Sequence, residues 1–92
     1  MIESIRSKAL RRFYERGDAS RIRPDHLPKV RYILDILNAA ETIENVKLPG
    51  LDLHQLSGDL TDFYSVKVNK NWRIIFRFDD KKVSSVDYLD YH

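Results

Sequence analysis

The stretch that most constrains the fold runs from Tyr64 to Phe78 and reads YSVKVNKNWRIIFRF. Apolar and polar residues alternate on both sides of the polar run 69–71, and a period of two is typical of β-strands. The sequence therefore predicts a β-hairpin that turns at residues 69–71. Because successive strand residues point to opposite faces, one face is expected to bury aromatic and branched side chains. The other face then carries Lys67, Arg73, Ile75 and Arg77.

The composition bounds the class of protein. A chain of 92 residues fits one domain, residues 1–92, with a single core. Hydrophobic residues make up 42% and charged residues 33%, which is typical of a globular chain and not of a disordered one. The formal net charge is only +2, so any case for nucleic-acid binding depends on where the cations lie. The absence of cysteine excludes disulfides and thiol-based zinc or nucleophile chemistry.

Neither a membrane-spanning segment nor an export signal is expected from the sequence. Its opening, MIESIRSKALRRF, lacks the apolar run of a signal peptide, and no uninterrupted apolar segment approaches the roughly 20 residues that span a bilayer. We therefore expect a soluble cytoplasmic protein with no membrane partner.

Two helices are predicted before the hairpin. From Ser7 onward, apolar residues recur at helical spacing until Gly17, a typical terminator, and basic residues surround them. A second three-four pattern runs from Leu27 to Ala40, and Asp25 is expected to cap it.

The remaining segments complete an α+β domain. Ile2 and Ile5 flank a short edge strand, residues 51–56 form another short strand, and residues 83–89 form the last one. This order predicts a short N-terminal strand and two helices packed on one face of a small antiparallel sheet. The other face of the sheet is expected to be exposed.

Five residues are the candidate catalytic set: His54, Arg73, Asp90, Tyr91 and His92. If the last strand pairs beside the hairpin, its end could meet His54 and Arg73 on the exposed face. Histidine transfers protons near neutral pH and arginine neutralises charge on a phosphorane-like transition state, so this set suits phosphodiester cleavage. The ordinary alternatives are a structural histidine and solvated arginines. The three histidines have no metal-ligand spacing, so we expect neither a metal nor a cofactor.

Four further residues are candidates for RNA binding: Tyr64, Lys67, Lys70 and Arg77. Cations along the sheet would neutralise phosphates, and Tyr64 could stack a base, as aromatic residues do with single-stranded RNA. Tyr64 could equally belong to the core.

The run LSGDLTDFYSVKVNKNWRIIF, the ending VDYLDYH and the opening MIESIRSKAL resemble the HigB branch of the RelE/ParE-like toxins, also called plasmid-maintenance killer proteins. The resemblance implies a RelE-like microbial RNase fold and a type II toxin that cleaves mRNA in the ribosomal A site without a metal. The implied partners are a HigA-type helix-turn-helix antitoxin, the 30S A site and mRNA. Operator DNA would be contacted only through the antitoxin complex.

The resemblance also implies roles for the candidate residues. In such toxins the RNA 2′-hydroxyl attacks the adjacent phosphate, which leaves a 2′,3′-cyclic phosphate and a 5′-hydroxyl. His54, Asp90, Tyr91 and His92 would form the acid-base and orienting set, with base and acid unassigned, and Arg73 would stabilise the phosphate.

The chain departs from the family pattern at two positions. Relatives often carry lysine where this chain has Ser57 and arginine where it has Asn69, so we expect weakened activity unless Lys67 or Lys70 compensates. The alternatives are a non-catalytic or gyrase-directed ParE-like toxin that acts through protein binding, and a small RNA- or DNA-binding module.

Overall fold

The structure, a computed structural model, describes residues 1–90 of the chain. Within them, two α-helices, α1 (Lys8–Arg16) and α2 (Leu27–Ala39), precede four strands: β1 (His54–Gln55), β2 (Phe63–Lys67), β3 (Trp72–Asp79) and β4 (Lys82–Asp90). Short 3₁₀ turns cover Pro24–His26, Ile43–Val46 and Gly58–Leu60. The strands form one antiparallel sheet in the order β1-β2-β3-β4. The predicted α+β class and the central hairpin are confirmed.

Helix α1 begins and ends where the sequence predicts. The Oγ of Ser7 accepts a hydrogen bond from the backbone N–H of Leu10 at 3.2 Å, which satisfies one of the free donors of the first turn. Gly17 ends the helix at φ 70°, and its N–H donates to the carbonyl of Phe13 at 2.9 Å. Leu10 is fully buried and fixes the inner face of the helix.

Helix α2 is confirmed, but its predicted cap is wrong. The residue before the helix is His26, and no side chain there caps the helix N-terminus. Asp25 lies inside the 3₁₀ turn Pro24–His26. A capping side chain needs an extended backbone at the residue before the helix. Here that residue belongs to the 3₁₀ turn, so the extended backbone is missing.

The N-terminal segment runs beside β4 as the predicted edge strand, although only as two isolated parallel bridges. Ile2 pairs with Val83 and Ile5 pairs with Val86. The N–H groups of Glu3 and Arg6 donate to the carbonyls of these valines, each at 2.7 Å. The segment therefore covers the outer edge of β4.

A β-bulge in β4 sets which of its side chains face the core. Ile75 pairs with Asp87 and Arg77 pairs with Ser84, so two residues of β4 oppose one of β3 at this point. Ser85 adopts the left-handed region at φ 53°. Because of the extra residue, Val83 and Val86 both point to the helix side although they are three positions apart.

The main core lies between the helices and one face of the sheet. From the sheet, Val66, Ile74 and Phe76 are fully buried, and from α2 so are Val30, Ile33 and Leu37. The prediction that both helices cover one face is confirmed.

The opposite face is less exposed than predicted. Phe63 is 6%, Ser65 1% and Ile75 3% exposed, although all three lie on the face that the helices leave. The guanidinium groups of Arg6 and Arg77 lie 5.3 and 5.9 Å from the centre of the Phe63 ring. Long cationic side chains cover apolar area with their stems while their heads stay in water, and sequence alternation does not reveal this cover.

Within residues 1–90, neither helix combines the length and the apolar composition of a membrane-spanning segment.

Candidate active site

His54 and Arg73 lie on the same face of the sheet. This face is opposite the helices, and we call it the site face. His54 of β1 pairs with Ser65 of β2, and Ser65 pairs with Ile75 of β3. Paired residues of antiparallel strands share a face. In the neighbouring row Lys67 pairs with Arg73. The site face therefore carries His54, Phe63, Ser65, Lys67, Arg73, Ile75 and Arg77.

A carboxylate joins the two candidate catalytic groups. Asp52 lies just before β1, its Oδ1 is 3.0 Å from Nε2 of His54, and its Oδ2 is 3.5 Å from Nη2 of Arg73. The Nη1 of Arg73 also donates to the Oγ of Ser65 at 3.3 Å. Arg73 is thus held from two directions while its side chain remains 21% exposed.

Asp52 stays ionised over the whole neutral range. Partial burial alone would raise the pKa of its carboxyl group. The charges and hydrogen bonds of His54 and Arg73 outweigh burial and hold the pKa below its ordinary value of 3.8. A negative charge therefore lies between the imidazole and the guanidinium.

Sequence reasoning missed Asp52. The available signal was the Asp-x-His spacing, although the left-handed backbone of Asp52, at φ 49°, departs from the extended geometry that this spacing suggests.

The candidate RNA-binding cations lie along the site face and its turn. Lys67 is half-buried beside Arg73, and Lys70 is exposed in the turn between β2 and β3. Arg77 lies four residues along β3 from Arg73, where its Nη2 is 3.4 Å from the carboxylate of Asp62. These cations are spread over β2, β3 and the turn between them and do not form a single cluster.

Tyr64 lies on the other side of the sheet. It pairs with Phe76, and the two rings stack with their centres 5.9 Å apart at the edge of the main core. This position supports the core alternative for Tyr64 and removes it from the site face.

Asp90 ends the described chain close to Arg73. It pairs with Trp72, one position beyond the pairing of Leu89 with Arg73. The carboxyl end of β4 therefore reaches the same end of the sheet as Arg73, but the pairing places the side chain of Asp90 on the face of Trp72, and Leu89 is the residue that shares the site face with Arg73. The candidates Tyr91 and His92 lie outside the described residues.

A second histidine, His26, belongs to a buried network. Asn69 accepts the backbone N–H groups of Asn71 and Trp72 on Oδ1, at 3.2 and 3.1 Å, so its Nδ2 is the group 2.7 Å from Nε2 of His26. On the other side of the ring, Nδ1 lies 2.5 Å from the hydroxyl of Tyr88. Because Nε2 accepts, the neutral imidazole carries its proton on Nδ1. This histidine is 2% exposed, and its hydrogen bonds stabilise the fold.

No group of three or more histidine, aspartate or glutamate side chains among residues 1–90 could hold a metal ion.

Comparison with solved structures shows the fold of the chain in a second protein. A crystal structure of a YafQ mutant from E. coli matches with a TM-score of 0.60 at 21% sequence identity, and the match covers 95% of this chain and 87% of that one. Together with the family match that follows, this fold places the chain among the RelE-like toxins of type II toxin-antitoxin systems.

The family within this class is the HigB-like toxins, and the chain belongs to it. The family model, described as a RelE-like toxin of the type II toxin-antitoxin system HigB, matches residues 3–92. Endoribonuclease HigB of Proteus vulgaris is 30% identical over 92 residues, which is the full length of both chains. Toxin HigB-1 of Vibrio cholerae is 33% identical over 94 aligned residues and covers 100% of this chain and 98% of its own. The recognition of the HigB branch from the sequence is confirmed.

Proposed function

We propose that this toxin is a ribosome-dependent endoribonuclease that cleaves mRNA in the ribosomal A site. The observation that carries the proposal is the arrangement of His54 and Arg73 on the site face, on either side of one carboxylate. A proton-transfer group beside a fixed cation is what cleavage of a phosphodiester requires. The full-length similarity to a relative named endoribonuclease supports the same activity.

The reaction proceeds without a metal. A base takes the proton of the RNA 2′-hydroxyl, whose oxygen attacks the adjacent phosphorus, while an acid protonates the departing 5′-oxygen. The products are a 2′,3′-cyclic phosphate and a 5′-hydroxyl. His54 and His92 take the roles of base and acid, Asp90 and Tyr91 orient the substrate, and Arg73 offsets the charge of the phosphorane-like transition state.

The cations beside the site bind the phosphate backbone. Lys67, Lys70 and Arg77 each contribute salt-sensitive affinity for RNA on the sheet. The toxin acts in the cytoplasm on the 30S A site, and a HigA-type helix-turn-helix antitoxin inhibits it.

Cleavage of a defined message on programmed ribosomes tests the proposal. The wild-type protein should cut the message in the presence of EDTA and leave the two end groups named above. His54→Ala, Arg73→Ala and His92→Ala should each reduce the rate by roughly a hundredfold or more. Arg31→Ala, which removes a guanidinium from α2 on the other side of the sheet, is the matched control and should cut normally.

An intact message under these conditions would refute the proposal. Inhibition of DNA supercoiling by the same preparation would then favour the gyrase-directed alternative.

A further inference from the structure

The carboxylate of Asp52 contacts both groups to which the proposed function assigns chemistry. Its Oδ1 is 3.0 Å from the His54 imidazole, and its Oδ2 is 3.5 Å from the Arg73 guanidinium. The resemblance to the HigB branch gives this residue no role. Its geometry therefore requires its own explanation.

The backbone on both sides of Asp52 is fixed to β2. Leu51 is fully buried, and its carbonyl accepts the N–H of Lys67 at 2.7 Å. On the other side, His54 pairs with Ser65. Between these two points Asp52 adopts φ 49°, in the left-handed region. The carboxylate is thus aimed at the site face by anchored backbone.

The contact determines which nitrogen of His54 can act as a base. An ionised carboxylate has only acceptors, so the Nε2 that faces it must carry a proton. In the neutral imidazole the remaining nitrogen, Nδ1, is then the acceptor. The same carboxylate limits the directions in which the Arg73 guanidinium can turn.

We propose that Asp52 is a positioning residue for RNA cleavage, which holds His54 with Nδ1 as its basic nitrogen and keeps the Arg73 guanidinium beside it. The inference rests on the proposed function and deepens it. A negative charge at this place also repels an incoming phosphate. If substitution of Asp52 slows cleavage, positioning dominates; if it speeds cleavage, repulsion of the phosphate dominates.

Two substitutions separate the hydrogen bond from the charge. Asp52→Asn keeps an oxygen that accepts the Nε2–H of His54, and asparagine tolerates the left-handed backbone. Asp52→Ala removes both the accepting oxygen and the negative charge. We expect the turnover rate at saturating ribosomes to fall roughly tenfold to a hundredfold in the alanine variant and less in the asparagine variant, with little change in KM.

Asp35→Asn, which makes the same charge change on the exposed face of α2, should leave turnover unchanged. Unchanged or faster turnover in Asp52→Ala would overturn the proposal.

A double-mutant cycle tests whether Asp52 acts through His54. In a His54→Ala background, Asp52→Ala should reduce the residual rate by a clearly smaller factor than in the wild type, because only Arg73 is then left for it to position. An equal loss in both backgrounds would mean that Asp52 acts in another way.

A measurement on the free protein separates this inference from the proposed function. The ¹³C carboxyl signal of Asp52 should titrate below the ordinary 3.8, and His54→Gln should move its pKa upward. If wild-type protein cuts no message, the proposed function fails and this titration still tests the contact. A carboxyl pKa that His54→Gln does not change would overturn the positioning role.

Discussion

The Nε2 of His26 accepts a 2.7 Å hydrogen bond from the side-chain amide of Asn69, 43 positions further along the chain. Through this bond the loop before α2 holds the turn of the central hairpin, which carries the exposed Lys70. The imidazole edge also meets the Trp72 ring, with centres 5.5 Å apart. Asn69 is one of the two departures from the family pattern. Its side chain therefore makes structural hydrogen bonds that an exposed arginine would not make.

Asn69→Ala should destabilise the fold by about 1 to 3 kcal/mol. It removes the acceptor for two backbone N–H groups of the turn and leaves the buried Nε2 of His26 without its donor. Urea unfolding monitored by Trp72 fluorescence measures the change. Asn71→Ala is the control, because Asn71 enters this network through its backbone N–H, and a loss of equal size there would contradict the explanation.

Tyr88 should make the protein sensitive to alkali. Burial raises the pKa of its phenol above the ordinary 10.0, although a backbone hydrogen bond with Arg23 and the charge of Arg23 act in the opposite direction. The folded state thus keeps the proton more tightly than the unfolded state. The free energy of unfolding should be unaffected below about pH 10 and should fall as the pH rises from there toward the folded-state pKa.

The substitution Tyr88→Phe tests this origin of the alkaline loss. The variant should be less stable at neutral pH by about 1 kcal/mol, since the hydrogen bond with His26 is lost, yet its stability should decline less above about pH 10. Tyr32→Phe alters a phenol that is 48% exposed and should leave the alkaline slope unchanged. Identical slopes in Tyr88→Phe and wild type would show that other groups cause the loss.

Ser57→Lys should strengthen the toxin. Ser57 is exposed at the start of the 3₁₀ turn Gly58–Leu60, two residues after the short strand that carries His54. An added cation near a developing phosphate charge can be worth up to roughly 3 kcal/mol, so we expect cleavage to rise about tenfold or more. Ser20→Lys adds the same charge in the exposed loop after α1. If both variants gain equally, general charge explains the effect and the position does not.

The left-handed backbone of Ser85 in the β4 bulge can be tested by a substitution that strains it. Ser85→Val places a β-branched side chain at φ 53° and should destabilise the fold by about 1 to 2 kcal/mol more than Ser84→Val in the adjacent strand position. Thermal unfolding of the two variants gives the difference. Equal melting temperatures would argue that the bulge relaxes at little cost.

Local signals predicted most of the fold. The alternation around residues 69–71, the Ser7 cap and the Gly17 terminator depend on neighbouring residues alone, and each lies where it was predicted. The bulge could not be predicted from alternation, because one added residue shifts every later side chain to the other face. The spacing of three between Val83 and Val86 was its only trace.

The candidate site was predictable in part. Alternation placed Arg73 on the face opposite the core, and the structure adds His54 to that face. The contact of Asp52 with Arg73 spans 21 positions and exists only once the loop is pinned to β2. The catalytic roles of all five candidates, His54, Arg73, Asp90, Tyr91 and His92, remain predictions.

The pairing of the first residues with β4 has a consequence for how the newly synthesised toxin folds. The amino group of Met1 donates to the carbonyl of Lys81, 80 positions later, at 3.0 Å. A nascent chain would expose Ile2 and Ile5 long before their partners leave the exit tunnel, and contacts so distant in sequence form late in folding. A chain that lacks β4 therefore cannot close this edge of the sheet, and the fold is completed only after residues 82–90 have left the tunnel.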